Sequence, residues 1–156
     1  MLYVRWIIAA LHLLALGIGL GAIWWRARAL QAALDRDSLR HVFYADNLWG
    51  AAALLWISTG LLRAFAGLEK GSAYYLDSSA FWIKMALLGL VLLLEIWPAS
   101  TWIRWRMRLA RDETIRIDTR RMRLFAVISM VQAVLIVLMV FAATAMARGL
   151  DRKSVV

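Results

Sequence analysis

The sequence contains no cysteine, so the fold holds no disulfide, no iron–sulfur cluster, no thiolate chemistry and no c-type haem attachment. It has only two histidines, His12 and His41, too few for the clustered imidazole, carboxylate and thiolate groups that normally hold copper or zinc. Acidic residues are scarce, with 10 set against 19 lysines and arginines. No Gly/Ser-rich linker, low-complexity tract or internal repeat divides the 156 residues, which leaves one domain covering 1–156.

Apolar side chains fill the remainder. A hydrophobic content of 63% and nine tryptophans are too much for a soluble domain of this size and point to an integral membrane protein. Four stretches, residues 4–25, 43–66, 80–103 and 124–147, reach the roughly 20 residues needed to cross a hydrocarbon core about 30 Å thick. The expected architecture is all-α, an antiparallel up-down four-helix membrane bundle, with residues 104–123 as a basic connection. The first run imitates a signal peptide, since Arg5 precedes it and Ala27-Arg28-Ala29 follows. It is too long, however, and ends in Trp24-Trp25 followed by arginines, so it stays as the first helix. The segment "RARALQAALDRDSLRHV" carries alanine and leucine at helical spacing and either continues that helix or lies at the interface.

The net charge of +9 is unevenly placed. Arg26, Arg28, Arg36 and Arg40 fall between spans one and two, and Arg104, Arg106, Arg108, Arg111, Arg116, Arg120, Arg121 and Arg123 between spans three and four, giving 12 arginines on one side. The other side has Arg5, Arg63, Lys70, Arg148, Arg152 and Lys153. The positive-inside rule therefore predicts an N-out, C-out topology in a bacterial inner membrane. The arginine-rich connection, with Asp112, Glu113 and Asp118, reads as an anchor at anionic headgroups of the lipid bilayer, and no nucleic-acid partner is expected. Trp102 and Trp105 at one boundary and Tyr74, Tyr75, Phe81 and Trp82 at the other form the expected aromatic belts.

Polar groups inside the spans require a reason, because lipid offers them no partner. Counted at 1.5 Å per residue, His12 and Met139 each lie roughly 12 Å from the outer ends of their helices, Thr59 at about 10 Å and Lys84 at about 6 Å. With Arg63 one turn nearer the surface than Thr59, these five groups are expected to share one outer layer, and the i, i+3, i+7 stripe of Trp56, Thr59 and Arg63 puts threonine and arginine on one face of the second helix. An inner pair, Glu95 and Gln132, sits at matched depth where an interhelical hydrogen bond is feasible. Asp46 reads as the N-cap of the second span, and His41 as an interfacial residue, 15 to 20 Å in depth from His12 by the same count. Gly17 and Gly21 form a small-xxx-small pair that suits close approach of a helix, a second copy of the chain or a flat macrocycle.

An imidazole, a thioether and two cations in one apolar layer match what a haem needs: an iron ligand, a sixth ligand and partners for the propionates. On the runs "LHLLALGIGLGA", "ADNLWGAAALLWISTGLLR" and "YYLDSSAFWIKMALLGLVLLL" the chain resembles an uncharacterised bacterial family of small predicted four-span membrane proteins. More distantly it is similar to the membrane-bound protoporphyrinogen IX oxidases and the copper-resistance D membrane domains, through Leu11-His12, Thr59-Gly60-Leu61 and the "WIKMAL" lysine Lys84. That resemblance implies His12 as a ligand of haem b and Lys84 as an essential residue. The oxidases tend to carry a further histidine along the third span where this chain has Glu95 and Trp97, so oxidation of protoporphyrinogen is not carried over with the haem.

The expected function is binding of haem b and electron transfer with a quinone or tetrapyrrole, with oxidoreductase catalysis left open. His12 would ligate iron, Lys84 and Arg63 would hold propionates or an anionic substrate, Thr59 would supply a hydrogen bond and Met139 a sulfur ligand. Glu95, oriented by Gln132, would carry a proton. The alternative is a cofactor-free structural membrane subunit, or a small module that passes a proton or metal ion.

Overall fold

The apolar runs become helices longer than a bilayer requires. In a computed structural model describing residues 2–32, 35–66, 68, 71–111, 113, 115 and 117–149, the chain forms α1 (Leu2–Ala32), α2 (Arg36–Phe65), the short α3 (Ser72–Leu76), α4 (Ser79–Ala110) and α5 (Thr119–Ala147), with no strand among the described residues. Four of the helices, all but α3, are long and apolar enough to cross a membrane. Their 29 to 32 residues correspond to about 45 Å, so each extends beyond the hydrocarbon core. The long helices alternate in direction, so Leu2, Phe65, Ser79 and Ala147 lie at one end of the bundle, here the terminal end, and Ala32, Arg36, Ala110 and Thr119 at the other, the arginine end.

The helices run past three of the expected span boundaries. The first span continues to Ala32, the second begins at Arg36, and the basic connection expected at 104–123 contracts because α4 runs to Ala110 and α5 starts at Thr119. The reason is helical spacing within the arginine-bearing segments: Trp102 and Trp105 turn inward and are buried while Arg104 and Arg108 face out, so the helix continues past the end of the apolar run. Among the charges counted for topology, Lys70, Asp112, Arg116, Arg152 and Lys153 lie outside the described residues, as does the side chain of Arg36.

Asp46 is not the N-cap of α2. That position belongs to Asp35, whose carboxylate accepts from the Ser38 amide at 2.8 Å while the Asp35 amide donates to the Ser38 hydroxyl at 3.1 Å, a reciprocal capping box. The Ser38 amide and hydroxyl hold the exposed Asp35 carboxyl below the usual carboxylate range. A carboxyl with a depressed folded-state pKa stabilises above its ordinary value and loses that effect as the pH falls through the lowered one. Amide hydrogen exchange, normalised to intrinsic rates, should show the α2 first turn protected at neutral pH and frayed in acid. Asp35→Ala should fray it at both, and unchanged protection in that variant would rule the cap out.

Close backbone packing joins α1 to α2, α1 to α5 and α4 to α5, whereas α2 and α4 share little of it. The α1–α2 crossing is tight at Gly19, where an added Cβ would meet the Trp49 ring at 3.3 Å. Gly17 and Gly21 face away from the bundle, and a Cβ added at either would meet nothing within 4 Å, so within the chain neither a helix nor a cleft uses them. Buried side chains form three layers: Leu30, Leu39, Trp102 and Phe125 at the arginine end, Ile23, Trp49, Val91 and Ile136 in the middle, and Ala64, Tyr75 and Phe81 at the terminal end. Leu13, Leu54, Leu93, Val134 and Phe141 point outward as the apolar surface a lipid environment accepts.

Candidate functional site

Two polar constellations lie inside this bundle, and they differ in how completely their hydrogen bonds are satisfied. At the arginine end the buried face of α1 runs through Gly19, Ala22, Ile23, Arg26, Ala27 and Leu30, which carries Arg26 into the interior with none of its surface exposed. A guanidinium has five N–H donors. Here Nε donates to Ser129 Oγ at 3.1 Å, Nη1 to Asp46 Oδ1 at 3.0 Å and Glu95 Oε1 at 2.6 Å, and Nη2 to Glu95 Oε2 at 2.9 Å and Gln132 Oε1 at 2.8 Å. Every donor is used, and the acceptors come from α2, α4 and α5.

The partners are bonded in turn, except that Arg106 Nε is buried without an acceptor among the described residues. Gln132 Nε2 donates to Glu95 Oε2 at 2.7 Å and to the Val91 carbonyl at 3.1 Å, and Trp49 Nε1 donates to Glu95 Oε2 at 3.2 Å. Arg106 reaches Asp46 Oδ2 at 3.0 Å and the Phe43 carbonyl at 3.2 Å, with its guanidinium 4.9 Å from the Phe43 ring centroid. Two cations and two anions balance, as a low-dielectric site requires. The Glu95–Gln132 hydrogen bond anticipated from matched depth is present, but both oxygens of Glu95 are occupied, most strongly by Arg26. The sequence reading missed Arg26 by counting it as a loop charge. The signal was its i, i+3, i+4 spacing from Ala22 and Ile23.

At the terminal end the four long helices and α3 enclose a cleft of about 350 Å³, at the lower end of the range for small-molecule sites. His12 from α1, Trp56 and Arg63 from α2, Tyr74 and Tyr75 from α3, Lys84 from α4 and Met139 from α5 all line it. Thr59 stands behind His12, with its hydroxyl 2.9 Å from Nδ1. His41, by contrast, is exposed near the start of α2 at the other end.

The hydrogen-bond network assigns the tautomer of His12. The Thr59 hydroxyl is 2.6 Å from the Leu55 carbonyl and 3.1 Å from that of Trp56, and its single proton goes to one of these acceptors. The hydroxyl oxygen then accepts from His12 Nδ1–H, an arrangement that in a neutral ring leaves the lone pair on Nε2. The ring is seated closely: an added Cβ at Gly60 would meet its Cε1 at 3.1 Å. The Trp56 ring lies 5.8 Å from it, tilted by 31°. No group of three or more His, Cys, Asp or Glu suited to a bare metal ion occurs among the described residues.

Similarity to known proteins adds a family. A profile described as "Predicted membrane protein (DUF2214)" matches residues 4–151. No curated protein and no solved structure matches the chain.

Proposed function

Because the chain belongs to the DUF2214 family of predicted membrane proteins, we propose a function carried out within the bilayer, namely binding of haem b in the terminal-end cleft and electron exchange with a lipid-borne quinone or tetrapyrrole. The observation that carries this reading is the His12–Thr59–Leu55 chain, which holds the imidazole by Nδ1 in a cleft that also takes Arg63 and Lys84. Haem-ligating histidines need that arrangement, with the second ring nitrogen held by a hydrogen bond.

The donor set suits the group. His12 Nε2 would hold the iron, Arg63 and Lys84 would pair with carboxylates, and the Met139 thioether is available from α5 as a further ligand. Leu16, Leu88 and Val140 supply apolar wall. Bound haem supplies one-electron redox chemistry. On this reading the protein sits in the bacterial inner membrane with both termini outside, and the outward face of Gly17 and Gly21 is where a second copy would approach.

One observation favours a second reading, a cofactor-free structural bundle: the Arg26 network ties all four long helices together without any ligand. The absorption spectrum of the detergent-purified protein, oxidised and dithionite-reduced, with a pyridine haemochrome assay, separates the two. A near-stoichiometric b-type spectrum is expected. A colourless protein, still colourless after haem is supplied during expression, would overturn the haem reading in favour of the structural one.

A further inference from the structure

Helices α1 and α2 meet at two glycines, each lying under a ring of the other helix. Gly19 of α1 faces the Trp49 indole, and Gly60 of α2 faces the His12 imidazole, where an added Cβ would stand 3.1 Å from Cε1 and 3.7 Å from Nδ1. The first ring belongs to the middle layer of the core, and its N–H bonds Glu95. The second lines the cleft.

Cε1 is the carbon between the two ring nitrogens, so a methyl group at position 60 would press on the edge that carries both. The imidazole would have to give way by a few tenths of an ångström. It is buried, and the equally buried Trp56 packs on it with ring centroids 5.8 Å apart. The contact left to absorb the shift is the one to Thr59, now 2.9 Å long and dependent on both distance and angle. Thr59 and Gly60 are consecutive on α2: one supplies the oxygen and the next clears the space through which the ring reaches it. A residue with a side chain at 60 would keep the hydroxyl and hold the ring away from it.

We infer that Gly60 is a positioning residue for His12. By placing no side chain at this contact it lets the imidazole reach the Thr59 hydroxyl and so keeps the ring in the Nδ1–H form, whereas a free histidine side chain favours the Nε2–H form. The use of Nε2 as an iron ligand rests on the haem reading. The seat itself rests on the distances at Gly60 and Thr59.

The test is nitrogen NMR of the full pigment-free chain, labelled with 15N-histidine in phosphatidylcholine nanodiscs, at about pH 8, above the ordinary histidine pKa. The chain has only two histidines, and exchanging the exposed His41 in His41→Gln assigns both signals. Wild-type His12 should show the Nδ1–H tautomer, and Gly60→Ala should move it toward the Nε2–H tautomer. Gly19→Ala is the control, because it crowds the same two helices at Trp49, 3.3 Å from the added Cβ, and should leave the His12 signals alone. In haem titrations Gly60→Ala should bind about 10- to 100-fold more weakly than wild type, as loss of an outer-shell partner does, and Gly19→Ala should match wild type. An Nε2–H tautomer in wild type would overturn the proposal without reliance on any variant. So would unchanged His12 signals in Gly60→Ala, or an equal change in Gly19→Ala, which would assign the effect to the helix crossing as a whole. A tautomer that responds to Gly60→Ala in a protein that never takes up haem would sink the haem reading alone.

Discussion

Arg26→Leu should destabilise the bundle by about 3–5 kcal/mol, the usual cost of removing one partner from a buried ion pair. The expected size follows from what the guanidinium leaves behind. Glu95 loses two charge-assisted bonds, Asp46 loses one, and Ser129 and Gln132 each lose the donor their oxygens face. Two carboxylates then share an apolar interior with only Arg106 as a cation. Adding Glu95→Gln to Arg26→Leu should recover part of the loss, because it removes the stranded charge and keeps a polar partner for Gln132. Arg26→Lys should fall between, since an ammonium keeps the charge but brings three donors to a site built for five. Unfolding in mixed micelles with increasing denaturing detergent measures all three variants. An Arg26→Leu protein within about 1 kcal/mol of wild type would show that the network is not what holds the helices together.

Loss of pigment in His12→Ala is the second large effect, and Thr59→Val is its necessary companion. Removing the imidazole removes the proposed iron ligand, so the b-type spectrum should vanish while the helices stay assembled, because the Thr59 hydroxyl still bonds the Leu55 carbonyl and the Arg26 network is untouched. Thr59→Val keeps the ring but takes away the oxygen that Nδ1–H donates to. Outer-shell partners of this kind are typically worth 10- to 100-fold in ligand affinity, so the variant should bind haem that much more weakly. Titration of haem into pigment-free protein reads both. Full affinity in Thr59→Val would refute the tautomer argument, and retained pigment in folded His12→Ala would refute the ligand assignment.

The contents of the cleft were legible from arithmetic on the chain. A helix advances by a fixed rise, so counting residues from each apolar boundary placed His12, Thr59, Arg63, Lys84 and Met139 at similar depth, and the structure brings them to or beside one cleft. The same counting paired Glu95 with Gln132. Arg26 and Asp46 escaped it because hydropathy marks the end of an apolar run and helical hydrogen bonding does not stop there. A charge beyond the run looks like a loop residue or a cap until its partners on other helices are known. The sparse packing between α2 and α4 depends on which helices are neighbours, and a period of 3.6 within one helix carries no record of that.

The buried charges also bear on how the chain enters its membrane. The first hairpin, α1 with α2, contains Arg26 and Asp46 in direct contact, and the second, α4 with α5, contains Glu95 and Arg106 together with Gln132. Within the arginine-end network each half therefore carries one positive and one negative group. During synthesis the first pair of helices can partition into lipid with Arg26 already paired to Asp46, before the second has left the ribosome. Docking of the halves along α1 and α5 then brings Glu95 to Arg26 and Arg106 to Asp46, so that each half completes the charge pairing of the other.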